Sequence, residues 1–121
     1  WLQLGRSYIV LKNNTKAINA FENAARLMPM EIFPLIQIAN LLIKGLGPND
    51  EVPNQLEEIN AKILDINNQN PDGLFIAGLI AEKKGDYDLA LIHWNNLLKS
   101  LPKNDTAIAS VKKRISLIKR E

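Results

Sequence analysis

The chain contains no cysteine. A disulfide framework, a thiolate metal site and a cysteine nucleophile are therefore excluded, and the absence leaves the redox compartment unread. Histidine occurs once, as His93 beside Trp94, with no serine or carboxylate pair nearby. A general base needs partners that tune and orient it, so packing or solvent exposure fits His93 better than catalysis, and an enzyme built on it is the weakest functional class. No HExxH, Gly-rich phosphate loop or nucleophile elbow is present, so no catalytic residue, metal or cofactor is expected. The run Pro48–Asn49–Asp50 followed by Glu51 lacks the ligand ladder of an EF-hand loop and reads as an acidic turn. No run of about 18 apolar residues marks a membrane span. The formal net charge of +2 is too small to imply a nucleic-acid partner. Most of that charge sits at the end, in Lys112, Lys113, Arg114, Lys119 and Arg120 against Glu121, which reads as a solvated helix face.

What is present is ordinary for a globular domain. The 121 residues are 46% apolar and 23% charged, enough to bury about two-thirds of the unfolded surface, and a single domain over 1–121 is expected. The chain opens on Trp1 rather than methionine, which reads as a fragment or processed product.

The informative feature is an echo. Ala17, Phe21 and Pro29 recur as Ala90, Trp94 and Pro102, and Gly5 as Gly78, each 73 positions later. A small residue, an aromatic four later and a proline eight after that form a packing pattern, and hence an internal repeat. Residues 1, 4, 5 and 8 share one face of a helix and 17, 21, 24 and 28 one face of another, with the polar Lys12–Thr15 stretch as the turn. Glycine and alanine remove bulk where the two helices approach, Tyr8, Phe21 and Trp94 fill the adjacent space, and Pro29 and Pro102 stop each second helix.

Trp1, Leu4, Gly5, Tyr8, Ala17, Phe21, Ala24 and Pro29 resemble the tetratricopeptide repeat, whose period is about 34 residues. Two periods leave about five residues over, and the Gly- and Pro-rich stretch 44–53 is the place for them. In the middle unit Ala39 takes the glycine position, Leu56 an alanine position and Asn60 the aromatic position. After Pro102, Ile108, Val111, Ile115 and Ile118 form one stripe with Asp105 or Asn104 as N-cap, the mark of a capping helix. The expected fold is all-α: a right-handed α-solenoid of three helix-turn-helix repeats, about 1–31, 32–70 and 71–104, and a cap at 105–120. Its helices are expected over 1–12, 15–28, 31–44, 53–67, 72–84, 87–100 and 105–120.

A narrower resemblance rests on Gly73–Asp105, with its tryptophan at the second helix's aromatic position, and on the lengthened middle loop. Together they resemble the periplasmic tetratricopeptide domain of bacterial c-type cytochrome biogenesis proteins, the CcmH/CcmI/CycH group. The resemblance implies a domain of a membrane-anchored bacterial protein, facing the periplasm, with the membrane reached only through a segment outside this chain. It also implies a partner, apocytochrome c, held by its amphipathic C-terminal helix for haem ligation alongside other cytochrome c maturation components. A general tetratricopeptide scaffold for another assembly is the alternative.

If the register holds, Leu2, Arg6 and Ile9, then Phe33, Ile36 and Asn40, then Phe75, Leu79 and Glu82 point into a concave groove and form the expected peptide-binding set. Apolar residues lining a groove suit an amphipathic helix laid with its hydrophobic side inward. The competing reading is that Phe33 and Phe75 pack against neighbouring helices. A carboxylate clamp finds few candidates: Arg6, Asn40 and Lys113.

Overall fold

The computed structural model describes residues 1–47 and 49–119. Among them are seven α-helices and no strand: α1 (Leu2–Val10), α2 (Asn14–Leu27), α3 (Ile32–Lys44), α4 (Asn54–Ile66), α5 (Pro71–Lys83), α6 (Tyr87–Ser100) and α7 (Ala107–Lys119). Each begins and ends within two residues of the range expected from the repeat pattern. Arg120, expected in the last helix, and Pro48 of the acidic turn lie outside the described residues. The chain divides into two compact units, Trp1–Ile66 with α1 to α4 and Asn67–Glu121 with α5 to α7.

The 73-residue echo extends to single hydrogen bonds. In the first unit the amide of Lys12 donates to the carbonyl of Ile9 and that of Asn13 to Tyr8; in the second, Gly85 donates to Glu82 and Asp86 to Ala81. These bonds close each first helix around a residue of positive φ, Lys12 at 58° and Gly85 at 78°. The next residue caps the second helix. Asn13 Oδ1 accepts from the amide of Lys16 at 3.2 Å, and Asp86 Oδ1 from that of Leu89 at 3.2 Å. A side-chain oxygen here satisfies one of the amides that a helix start leaves without a partner.

Each turn folds a first helix back on a second, and the two glycines explain how closely they meet. A Cβ built on Gly5 would lie 2.7 Å from Phe21 Cζ, and one on Gly78 would lie 2.7 Å from Trp94 Cε2. Both rings are fully buried. Ala17, Ala20 and Ala24 in the first unit, and Ala90 and Leu97 in the second, complete the buried faces of α2 and α6.

The middle pair, α3 and α4, follows the expected register with different side chains. Ala39, Leu56, Asn60 and Ile63 are all buried. The extra residues fall between Lys44 and Asn54, where Asp50 Oδ2 accepts the amide of Gly47 at 2.7 Å. Asn60 stands where Phe21 and Trp94 stand in the other pairs, and its Oδ1 is buried without a hydrogen-bond partner. One expectation is corrected on α1. Only Gly5 of the 1, 4, 5, 8 face is buried; Trp1 is 52% and Leu4 41% exposed. The corresponding face of α3, through Leu35 and Ile38, is buried in a unit where α2 packs against α3. Such a face is buried only by a second helix on its outer side, and no described helix comes before α1.

At the end of the second unit α7 packs on α6. Asp105 Oδ1 accepts from the amide of Ala107 at 2.8 Å, starting the helix. Val111 and Ile115 are buried, with Ile108 and Ile118 partly so, and this apolar stripe supplies the packing.

Candidate functional site

In the first unit the expected groove residues occupy the exposed side of α1 and α3. Leu2, Ile9 and Ile36 are partly buried, while Arg6 and Asn40 are exposed. Phe33 is 37% exposed. The structure brings Arg6 and Phe33 together: the guanidinium carbon lies 5.1 Å from the ring centroid. A cation over an aromatic face is attracted by the ring quadrupole, and the two side chains fix each other's orientation.

In the second unit Phe75, Leu79 and Glu82 lie on α5. Leu79 is partly buried, and Phe75 is 38% exposed with its ring edge-on to Trp94 at a centroid distance of 5.4 Å. Both phenylalanines therefore pack and present surface at once. Glu82 is engaged within the unit. Its Oε1 accepts from Trp94 Nε1 at 3.2 Å, and its Oε2 from an Arg114 nitrogen at 2.7 Å. The Arg114 guanidinium also lies over the rings of Trp94 at 5.5 Å and Phe75 at 6.0 Å. Arg114 thus departs from the solvated face expected of the basic last helix, and it is the residue of this surface that sequence reasoning missed. The repeat register held a signal for it. A helix following α6 takes the place of a first helix and so reaches the end of α5.

The first unit also holds a concavity. It is a recess of about 600 Å³ lined by α2, α3 and α4, with Leu35, Ile38 and Ile59 among its apolar walls and Glu22, Arg26, Glu58 and Lys62 at its rim. Gln55 Nε2 donates to Glu22 Oε1 at 2.8 Å across one side of it. His93, on α6, is partly buried, and its Nδ1 is buried without a hydrogen-bond partner. Burial disfavours the imidazolium and pushes its pKa below the ordinary value. No helix among the described residues is long and apolar enough to cross a membrane.

Paired helices, two of the three pairs joined by a short capped turn and packed with glycine against an aromatic ring, define an all-α protein of the tetratricopeptide class. The chain belongs to the family of the cytochrome c-type biogenesis protein H TPR domain, whose model matches residues 1–108. It is similar to the cytochrome c-type biogenesis protein CcmH of Escherichia coli (strain K12), with 29% identity over 117 residues, 96% of this chain and 33% of the relative. The CcmH of Shigella flexneri is similar to the same extent. The chain spans 33% of the length of these relatives.

Proposed function

We propose that this domain is a non-catalytic peptide-holding module of cytochrome c maturation, which receives an amphipathic helical segment of apocytochrome c before haem is attached. The observation that carries the reading is the pair of half-exposed rings, Phe33 and Phe75, on the first-helix faces of the two units, each flanked by partly buried aliphatic side chains. An aromatic that is locked on one side and bare on the other gives a large apolar contact with little loss of side-chain freedom. In this reading each unit offers apolar contacts of its own, Phe33 and Ile36 with Leu2 and Ile9 in the first and Phe75 and Leu79 in the second, while Arg6 and Asn40 orient the segment. Glu82 serves by holding Arg114 in place. The domain faces the periplasm as part of a membrane-anchored protein, and other maturation components take the cargo from it. Family membership supports this placement and the choice of cargo.

Calorimetric titration with apocytochrome c and with its haem-loaded form tests the reading. Ordering a flexible segment opposes binding, so the apo form is expected to bind at about micromolar affinity with a negative heat-capacity change, and the haem-loaded form much more weakly. Phe75→Ala, checked for folding by a thermal melt, should weaken binding by about 1 to 3 kcal/mol, whereas Lys119→Ala should change little. Equal binding of both forms would favour a general scaffold. Loss of binding on removing Lys112, Lys113 and Lys119, with steep salt suppression and a neutral Phe75→Ala, would replace the apolar mechanism with a charge-based one.

A further inference from the structure

We infer that Arg6 and Phe33 form a recognition site for an acidic side chain carried on an apolar helical segment. The inference rests on the peptide-holding reading and adds to it a specificity for glutamate or aspartate next to the apolar stripe.

The second unit supplies the template. There an arginine, Arg114, lies over a half-exposed phenylalanine, Phe75, and binds the carboxylate of a helical glutamate at 2.7 Å. That glutamate is Glu82, which belongs to the same unit and lies against the aromatic cluster through Trp94. The first unit also sets an arginine against a half-exposed phenylalanine, though at other repeat positions and in the opposite chain order, with Arg6 on α1 and Phe33 on α3 at 5.1 Å. It does not repeat the acid: among the described residues Arg6 forms no ion pair. Arg6 and Phe33 are both exposed, so a ligand can reach them.

The chemistry follows from the guanidinium. Its planar fork matches a carboxylate in two-point contact, and it sheds water more readily than an ammonium group. Contact with the ring restrains the long side chain beforehand, so less freedom is lost when the hydrogen bonds form. Attraction to the ring face leaves N–H groups at the edge of the fork to donate, and bonds from a charged donor to a charged acceptor are about twice as strong as neutral ones. The bare part of the Phe33 ring then needs an apolar neighbour on the ligand. An acid beside a hydrophobic stripe meets both demands, and a helix places the two on adjacent positions of one face.

The probe is a short synthetic amphipathic peptide, acetylated and amidated, with a leucine stripe and one glutamate beside it. It is compared by calorimetry with the same peptide carrying glutamine. Blocking both ends leaves the side chain as the sole carboxylate. The glutamate peptide is expected to bind about tenfold more tightly than the glutamine peptide. Arg6→Gln should erase the difference, Arg6→Lys should retain only part of it, and Arg26→Gln on α2 should leave it intact. Equal affinity of the two peptides, binding of neither, or discrimination that survives Arg6→Gln would overturn the inference. So would tighter, Arg6-dependent binding of the glutamine peptide with a free C-terminus than of the blocked glutamate peptide, which would assign the site to a terminal carboxylate. Apocytochrome c separates this inference from the reading beneath it. Apocytochrome binding without glutamate discrimination retains the cargo and discards the Arg6 site; discrimination without apocytochrome binding does the reverse.

Discussion

A side chain at position 78 would meet the indole of Trp94, because even a Cβ there falls 2.7 Å from Cε2 and Cζ2. Trp94 is fully buried, held edge-on by Phe75 and by its hydrogen bond to Glu82, so the ring has no room to retreat. Gly78→Leu should therefore destabilise the protein by about 1 to 3 kcal/mol or more, read as a lower thermal midpoint; an unchanged midpoint would place Gly78 away from the helix contact. Fifteen positions on, His93 beside Trp94 sets a pH dependence. Its folded-state pKa is depressed because burial disfavours the charged imidazolium. The unfolded chain thus binds the proton more tightly, and the stability that neutral His93 contributes is fully present above its ordinary pKa of 6.5 and lost as pH falls through the folded value. The midpoint should be flat in this respect above that pH and drop below it. His93→Gln should remove that part of the slope, and a slope unchanged in the variant would trace the acid sensitivity to other groups. The same variant should bind apocytochrome as the parent does.

The turns show what repeated elements share and what each must adjust. Lys12 and Gly85 occupy the same position of the same turn, with φ of 58° and 78°. Residues with a Cβ reach this region at a cost of about 1 to 2 kcal/mol, so the two sites should respond in opposite directions. Lys12→Gly should stabilise by about 1 kcal/mol, and Gly85→Ala should destabilise by about as much. No atom lies within 4 Å of a Cβ at Gly85, so the second change isolates the backbone term. Urea midpoints would measure both, and a neutral Gly85→Ala would mean that the turn relaxes. Helix positions were legible in the sequence because glycine, alanine, aromatic and proline recur at fixed spacing and each has one packing use. Register in the middle pair was legible too, even though Asn60 replaces an aromatic, because Ala39, Leu56 and Ile63 keep the spacing of buried positions. The exposed Trp1 and Leu4 were not, since the motif identifies a face that can be buried and says nothing of what covers it. For Arg114 the register signalled only that a helix after α6 reaches the end of α5; a basic residue on that helix looks the same whether it meets water or a glutamate one repeat away. The repeat pattern placed the candidate residues on first helices, while the pairing of Arg6 with Phe33 needed three-dimensional contact to be seen.

At the scale of the whole molecule the last helix does two separable jobs. Its apolar stripe, through Val111 and Ile115, is buried where α7 packs on α6, and its Arg114 joins Glu82 to the two rings. The first job depends on area and the second on one charge, so they can be removed one at a time. Arg114→Gln keeps the stripe and breaks the charged contact. Because both partners are partly solvated, the loss should be about 1 kcal/mol, with a modest fall in the thermal midpoint and no new apolar surface. Glu82 keeps the hydrogen bond from Trp94 in that variant, so the indole should stay in place and tryptophan fluorescence should hardly move. Deleting residues 105–121 removes both jobs. The apolar side of α6 then meets water, and solenoid ends without a polar outer face associate or bind hydrophobic dyes. The truncated chain should aggregate or light up such a dye, with a midpoint well below that of Arg114→Gln. If it stays a monomer of equal stability that binds no dye, α7 is an appendage, and its basic residues need a partner to account for them. If Arg114→Gln alone reproduces the full loss, the charged contact rather than the stripe holds the helix down.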